Sequence, residues 1–225
     1  MKNNRYTLRA LARLLAYPDA QLRSELSALA DAIDQEAALP AARRAELRTL
    51  ALELQRSAPL DTEARYVETF DRGRATSLHL FEHVHGDSRD RGPAMIDLAQ
   101  TYEKAGLFLG PDELPDHLCV VLEFASTQPA ALAKSFLGEM AHILTAIFSA
   151  LLQRESPYAA VLAAVLELSG HTAQAVTIAV DEAMDDSWAE PEAFGGCSTR
   201  GQAKPGEAQP IHIVRNTTAA PRVAA

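Results

Sequence analysis

Two histidines and a glutamate stand close together in a spacing that metal-dependent peptidases use. His79-Leu-Phe-Glu-His83 fits the H-x-x-E-H pattern of inverted zinc peptidases. On a helix, His79 and His83 would lie one turn apart and could bind one zinc ion, with Glu82 as the general base. Asp97 and Glu103, further along the chain, are the candidate third ligands. A zinc peptidase is therefore the enzymatic alternative for this chain.

The match is short, and histidines that cap or hydrogen-bond a helix end would account for it as well. Zinc in catalytic sites takes three protein ligands, and the chain offers no clear third one. We therefore expect the motif to hold no metal. No nucleophile triad, P-loop or dinucleotide fingerprint accompanies it, so no catalytic residue is assigned.

A second stretch joins aromatic residues to a charged turn. In Tyr66-Val-Glu-Thr-Phe-Asp-Arg-Gly-Arg74, Tyr66 and Phe70 lie on one apolar helical face. A core-facing helix explains these aromatics. It explains less well why Asp71, Arg72 and Arg74 crowd one turn beside a glycine. This turn is a candidate recognition surface.

A third stretch pairs an aspartate with a histidine. Asp116 and His117 follow Pro115, where we expect a helix to begin and to run through Leu118 and Val121. A carboxylate in a first helical turn interacts favourably with the helix dipole. Both side chains are expected near the surface, where the pair would act on binding and not on folding.

Helical periodicity positions these three stretches. Apolar residues recur at steps of three and four, and alternating strand patterns are missing. Leu132, Phe136, Met140, Ile143, Ile147 and Leu151 extend this pattern over five turns and predict one long central helix. Asp19 and Ser156-Pro157 are expected to begin helices, and Gly106, Gly110 and Gly170 to end them. We predict an all-α fold, a single compact domain of about eight to ten helices.

The composition changes near the end of the chain. Glycine and proline become frequent after about residue 188, and periodic apolar positions cease. Such a segment cannot bury a core. We expect a helical domain over residues 1–188 and a flexible tail over 189–225. The acidic run before the tail reads as a solvated helix end.

Charge and cysteine content limit the partners. The net charge of -9 argues against binding to nucleic acid or to an anionic membrane. No long apolar run or leader is evident, so we expect a cytoplasmic protein without membrane insertion. Cys119 and Cys197 lie far apart, which is neither a disulfide framework nor a metal motif.

Together, the three stretches resemble a known family. Tyr-Val-Glu-Thr-Phe-Asp-Arg-Gly-Arg-Ala-Thr-Ser-Leu begins at Tyr66, Leu-Phe-Glu-His-Val-His-Gly-Asp-Ser-Arg-Asp-Arg-Gly begins at Leu80, and Glu-Leu-Pro-Asp-His begins at Glu113. This order resembles the NarJ-type family of respiratory nitrate reductase delta subunits, which are molybdenum cofactor assembly chaperones. The match runs nearly unbroken from Tyr66 to Phe124. The Pro-Asp-His element is shared with the wider group of redox-enzyme maturation chaperones.

The resemblance implies an all-helical chaperone that binds the N-terminal segment of the catalytic (alpha) subunit of nitrate reductase. It implies help with molybdenum cofactor insertion, delayed membrane docking, contact with cofactor biosynthesis proteins, and no resident cofactor or metal. The Asp-His pair of the wider group carries onto Asp116 and His117. The candidate partner-binding residues are Tyr66, Phe70, Asp71, Arg72, Arg74, Glu82, His83, His85, Arg89, Arg91, Asp116 and His117. Without the resemblance, a helical interaction module would be the remaining interpretation.

Overall fold

A computed structural model describes residues 3–86 and 88–177. Within these ranges the chain is all-helical and has ten α-helices, as the periodicity predicts. The helices are α1 Arg5–Leu14, α2 Ala20–Glu36, α3 Ala41–Arg56, α4 Pro59–Phe70, α5 Leu80–Val84, α6 Arg91–Lys104, α7 Leu118–Thr127, α8 Ala130–Glu139, α9 Ala141–Gln153 and α10 Ala159–Ser169. The predicted tail, Cys197 and the acidic run lie outside the described residues.

The core is built around three strongly apolar helices, which are α7, α9 and α10. α1 packs along α7 and α2, while α10 packs against α9, α8 and α3. All six residues from Val161 to Leu166 are buried, so α10 is surrounded by protein on every side. Burial of such helix faces is the main stabilising contribution to a helical domain.

The prediction of one long central helix over residues 132 to 151 is wrong. The structure divides it into α8 and α9, which are bent by 69° at their junction. Gly138 lies in the last turn of α8, where glycine lowers helix stability by about 1 kcal/mol relative to alanine. The bend lets both halves bury apolar residues, Leu137 on α8 and Ile147 on α9. Leu132, expected in the core, is 58% exposed.

Three of the predicted helix ends are confirmed. The Asp19 carboxylate accepts a hydrogen bond from Leu22 N at 2.7 Å and caps α2. Gly106 and Gly170 adopt the left-handed conformation that ends α6 and α10, with φ of 81° and 86°. Gly110 does not adopt it. The last helix begins at Ala159 and not at Pro157, after a turn.

Among the described residues, no single helix is long and apolar enough to cross a membrane. α8 and α9 together satisfy those criteria, as a pair broken by their 69° bend.

Candidate functional site

The first and third sequence stretches meet through the backbone. Leu80 N donates to the carbonyl oxygen of Asp116 at 3.1 Å, and Leu118 N donates to the carbonyl oxygen of Leu78 at 2.9 Å. These two bonds form an isolated antiparallel bridge between His79 and His117. The starts of α5 and α7 are therefore held side by side. We call this meeting point, together with the side chains around Asp116, the Asp116 junction.

Asp116 lies inside the protein and not at its surface. The residue is fully buried, and one carboxylate oxygen accepts a hydrogen bond from Phe81 N at 3.1 Å. The same oxygen lies 3.8 Å from an Arg91 nitrogen, and the other oxygen lies 3.4 Å from His79 Nδ1. Because the first N–H groups of a helix lack partners within the helix, Asp116 caps α5 from a distant part of the chain.

The expectation that Asp116 projects to the surface is thus wrong, and so is the helix start at Pro115. α7 begins at Leu118, with His117 as its N-cap. The residues before it form a turn in which the Pro115 carbonyl accepts a hydrogen bond from Tyr102 Oη at 2.8 Å. This turn directs the Asp116 carboxylate towards α5. His117 is partly buried, and its ring packs edge-on against His79 at 4.9 Å.

The electrostatics of the junction favour a charged pair between the Asp116 carboxylate and the His79 imidazole. Burial alone would raise the pKa of Asp116, but the hydrogen bonds from His79 and Phe81 N and the nearby positive charges lower it overall. The hydrogen bond with Asp116 raises the pKa of His79. Burial, and then the charge of His79, lower the pKa of His117. Two adjacent imidazoles therefore differ in proton affinity because only one of them bonds the aspartate.

The three polar residues of the H-x-x-E-H motif each bond to other residues of the protein, and they do not share a helical face. His79 precedes α5 as its N-cap, in an extended conformation. His83 Nε2 lies 2.9 Å from the Ser77 carbonyl oxygen, so this nitrogen must donate a proton and cannot ligate a metal. Glu82 accepts hydrogen bonds from Ser77 Oγ at 2.6 Å and from Arg91 at 3.3 Å. The geometry gives the zinc peptidase alternative no support.

Elsewhere in the described ranges, no group of three or more His, Cys, Asp or Glu side chains could hold a metal ion. The candidate third ligand Asp97 is exposed on α6. Cys119 packs against the core, and burial raises the pKa of its thiol to about 12, so it stays protonated at neutral pH.

A polar cleft opens beside the junction. It has a volume of about 260 Å³ and is lined by Phe70, Asp71, Gly73, Arg74, Ser77, Glu82, Gly86 and Arg91. Five of the twelve candidate residues line it. The cleft joins the turn after α4 to the starts of α5 and α6, so the first two sequence stretches contribute to one concave surface. Its charged side chains carry two guanidinium and two carboxylate groups, and among them Arg91 pairs with Glu82.

The aromatic candidates lie beneath this surface. Tyr66 is only 7% exposed and donates a hydrogen bond to the Leu15 carbonyl oxygen at 2.8 Å. Phe70 is 5% exposed and forms the floor of the polar cleft. Their rings lie 4.8 Å apart and pack against Tyr158. Their burial leaves them the role of supporting the turn that follows α4.

The remaining candidates lie around the cleft without lining it. Arg72 is mostly exposed and pairs with Glu68 at 3.0 Å. The His85 ring packs edge-on against Phe81 at 5.6 Å. Arg89 is exposed, in the loop before α6. His83, as described, is bonded to Ser77. Among residues 3–86 and 88–177, no contact draws these four side chains together.

Two residues of the site were not predicted from the sequence. Ser77 is buried, and its hydroxyl accepts a hydrogen bond from His79 N at 3.2 Å while donating to Glu82. Tyr102 is 2% exposed and fixes the turn before Asp116. A serine in a turn carries no distinguishing signal. Tyr102 lies at a helical spacing from Leu98, which identifies a buried face but not a hydrogen bond.

Comparison with known proteins identifies relatives with named roles. The family model described as nitrate reductase delta subunit matches residues 36–164. NarJ of Escherichia coli (strain K12), named as a nitrate reductase molybdenum cofactor assembly chaperone, is 44% identical over 180 residues, covering 79% of this chain and 76% of NarJ. The nitrate reductase-like protein NarX of Mycobacterium tuberculosis is 39% identical over 153 residues, covering 68% of this chain and 22% of NarX.

The fold also has a relative among solved structures. A redox enzyme maturation protein from Archaeoglobus fulgidus superposes with a TM-score of 0.51 at 21% identity, covering 72% of this chain and 91% of that protein. At this identity the likeness concerns the fold alone, and it agrees with the all-helical architecture described above.

Proposed function

The chain belongs to the nitrate reductase delta subunit family, and from this premise we propose that it is an assembly chaperone for a respiratory nitrate reductase. It binds the apo form of the catalytic (alpha) subunit through that subunit's N-terminal segment. Binding keeps the subunit competent for molybdenum cofactor insertion and delays its docking at the membrane. The chain acts in the cytoplasm, on a protein partner, and is not itself an enzyme.

The observation that carries this proposal is the match to NarJ over most of both chains, since that relative is named for molybdenum cofactor assembly. The geometry is compatible with it. The polar cleft places Asp71, Arg74 and Glu82 at one concave surface, as recognition of a polar segment requires. The Asp116 junction holds that surface in place, which reduces the entropic cost of binding.

The acidic surplus of the chain also favours this partner class. A net charge of -9 attracts a segment with basic residues and repels nucleic acid. Complementary charge accelerates association and rejects wrong partners more than it adds affinity. We propose that contacts with cofactor biosynthesis proteins follow from the same bound state, in which the catalytic subunit is still open to its cofactor.

Molybdenum content tests the proposal. The catalytic subunit would be purified from cells that lack their own assembly chaperone, with and without this chain. We expect substoichiometric molybdenum without the chain and close to full loading with it. Asp71→Lys, which reverses a charge in the polar cleft, should reduce loading. Asp61→Lys, an exposed position at the opposite end of α4, is the matched control. Equal molybdenum content with and without the chain would disprove the proposed function.

A further inference from the structure

A larger cavity, of about 610 Å³, lies between α3, α4 and the loop that joins α9 to α10. It shares no lining residue with the polar cleft. Cavities of this size are typical of sites for small organic ligands. Its wall carries five charged residues and one buried aromatic residue, which are Glu53, Arg65, Glu68, Arg154, Glu155 and Tyr158. We call it the Tyr158 cavity.

The hydroxyl of Tyr158 is an unpaired polar group in the wall of this cavity. Tyr158 is 4% exposed, and within the described part of the chain its hydroxyl has no hydrogen-bond partner. Burial raises the pKa of this hydroxyl, which therefore stays protonated and can donate. Arg65 and Glu53, which also line the cavity, are the charged groups that act on the same pKa, so the hydroxyl lies towards them. A ligand with an acceptor oxygen would satisfy it.

The walls of the cavity are tied to each other. Arg65 on α4 pairs with Glu53 on α3 at 2.8 Å. Arg154, at the end of α9, donates to the carbonyl oxygens of Glu68 and Thr69 at 3.2 and 3.4 Å, near the end of α4. Both guanidinium groups of the wall are thus engaged within the protein. The cavity is held open by these contacts, and such preorganisation reduces the cost of binding.

The Glu155 carboxylate is the charged group of the wall that is still available. Among the described residues, no hydrogen bond or ion pair engages this carboxylate, whereas Glu53 pairs with Arg65 and Glu68 pairs with Arg72. Three carboxylates and two guanidinium groups leave the wall with one net negative charge. A ligand that carries a positive charge is therefore preferred to an anion.

The fold of the loop does not account for a glutamate at position 155. Glu155 has a left-handed φ of 52°. Glu155 N and Ser156 N donate to the carbonyl oxygens of Leu152 and Leu151 at 3.0 and 2.9 Å, which is a Schellman motif. Glycine is the usual residue at this position of the motif because it has no Cβ atom to strain the backbone. The glutamate side chain therefore adds strain without adding a contact to the loop.

We propose that the Tyr158 cavity binds a basic amino-acid unit. The ammonium or guanidinium group of the ligand pairs with the Glu155 carboxylate, and its carbonyl oxygen accepts a hydrogen bond from the Tyr158 hydroxyl. A basic amino acid is a simple biological unit that joins such a cation to an acceptor oxygen through an aliphatic chain. The unit is either a free molecule or a residue within a protein partner. No residue of the polar cleft takes part, so the site is separate from the proposed function.

Titration of the full chain with N-acetyl-argininamide, followed by the NMR signals of its backbone amides, tests the site. We expect saturable shifts at Ser156 and Tyr158, with a dissociation constant near or below about 1 mM. The neutral isostere N-acetyl-citrullinamide should cause no such shifts. A tripeptide with arginine at its centre distinguishes the two sources. Tighter binding of the tripeptide than of the amide assigns a residue within a protein partner, and equal or weaker binding assigns a free molecule.

Two variants separate ligand binding from folding. Tyr158→Phe deletes an unpaired hydroxyl and Glu155→Gly relieves a left-handed strain, so both should melt at or above the temperature of the wild type. Both should nevertheless weaken binding of the amide by a factor of about five or more, as expected for the loss of one hydrogen bond. Tyr6→Phe and Glu139→Gln remove the same groups at exposed positions on α1 and α8, and these controls should leave binding unchanged.

Four results would overturn the site. Absence of saturable shifts with both the amide and the tripeptide would leave a cavity that holds only water. Equal binding of the arginine and citrulline amides would remove the role of charge. Retained affinity in either Tyr158→Phe or Glu155→Gly would place the ligand elsewhere. A lower melting temperature for Tyr158→Phe would show that the hydroxyl has a partner within the protein.

Discussion

The Asp116 carboxylate accepts a hydrogen bond from Phe81 N at 3.1 Å, although 35 positions separate the two residues in the chain. Through this bond and the one from Leu80 N to its carbonyl oxygen, Asp116 satisfies two N–H groups at the start of α5. The residue that resemblance associates with peptide recognition is thus a buried structural element of this chain. We propose that any effect of Asp116 on partner binding is indirect, through the segments that it joins.

Removal of the Asp116 carboxylate should destabilise the protein. Asp116→Ala leaves Phe81 N without its acceptor and His79 without its counter-charge in a buried site, which costs about 2–5 kcal/mol. Asp116→Asn retains an acceptor oxygen and should cost less. Asp112→Ala, at an exposed position on the same loop, is the control and should stay within about 0.5 kcal/mol. Urea denaturation measures the difference, and equal midpoints for Asp116→Ala and Asp112→Ala would rule out the structural role.

The two adjacent histidines should titrate in a fixed order. The Asp116 carboxylate raises the pKa of His79 above 6.5, and burial lowers the pKa of His117 below 6.5. His79 therefore contributes stability that is complete below pH 6.5 and is lost as the pH rises through its folded pKa. His117 contributes in the opposite sense, since its stability is lost as the pH falls through its lowered pKa. Imidazole NMR titration gives both values, and a lower pKa for His79 than for His117 would refute this assignment.

The buried hydroxyl of Tyr66 should contribute measurably to folding. Tyr66→Phe removes the hydrogen bond to the Leu15 carbonyl oxygen and leaves that acceptor unpaired, at a cost of about 1–2 kcal/mol. The control is Tyr6→Phe on the exposed side of α1, where the ring is 57% exposed and little change is expected. Thermal melts of the two variants should differ by several degrees, and identical melts would show that the hydrogen bond contributes nothing.

Two glycines with open surroundings should respond in opposite ways to alanine. A Cβ atom would meet nothing within 4 Å at either Gly92 or Gly106, but only Gly106 has a positive φ, of 81°. Gly106→Ala should therefore destabilise by about 1–2 kcal/mol through backbone strain. Gly92→Ala, in the first turn of α6, should stabilise by as much as about 1 kcal/mol. Changes of the same sign in chemical denaturation would contradict the conformational argument.

The helical fold was predictable because it depends on local periodicity. The buried positions Leu22, Leu26 and Ile33 repeat at helical spacing. Asp19 caps the same helix through a hydrogen bond to Leu22 N, three positions further along the chain. The bend between α8 and α9 was not predictable from that pattern. Both sides of the junction are apolar, and the bend allows α8 and α9 each to pack against α10, a tertiary contact that the local pattern does not report.

Five residues that line the polar cleft were named from the sequence, but the geometry that brings them together was not predictable. Asp71, Arg74, Glu82 and Arg91 line one cleft although they lie on different elements, from the end of α4 to the start of α6. Asp116 was placed at the surface because its role as an α5 cap depends on a contact 35 residues away. Sequence spacing reports neighbours within a helix, whereas the direction of a side chain at a turn depends on the tertiary structure.

Selective binding of the unfinished partner is the central property of the proposed chaperone, and one measurement tests it directly. The affinity of the full chain would be compared by calorimetry for the apo catalytic subunit, the cofactor-loaded subunit, and the apo subunit without its N-terminal segment. We predict that the apo subunit binds at least tenfold more tightly than the loaded one, about 1.4 kcal/mol or more, and that loss of the segment weakens binding by a similar factor. Equal affinity for all three forms, or no binding to the apo subunit, would contradict the assignment as an assembly chaperone.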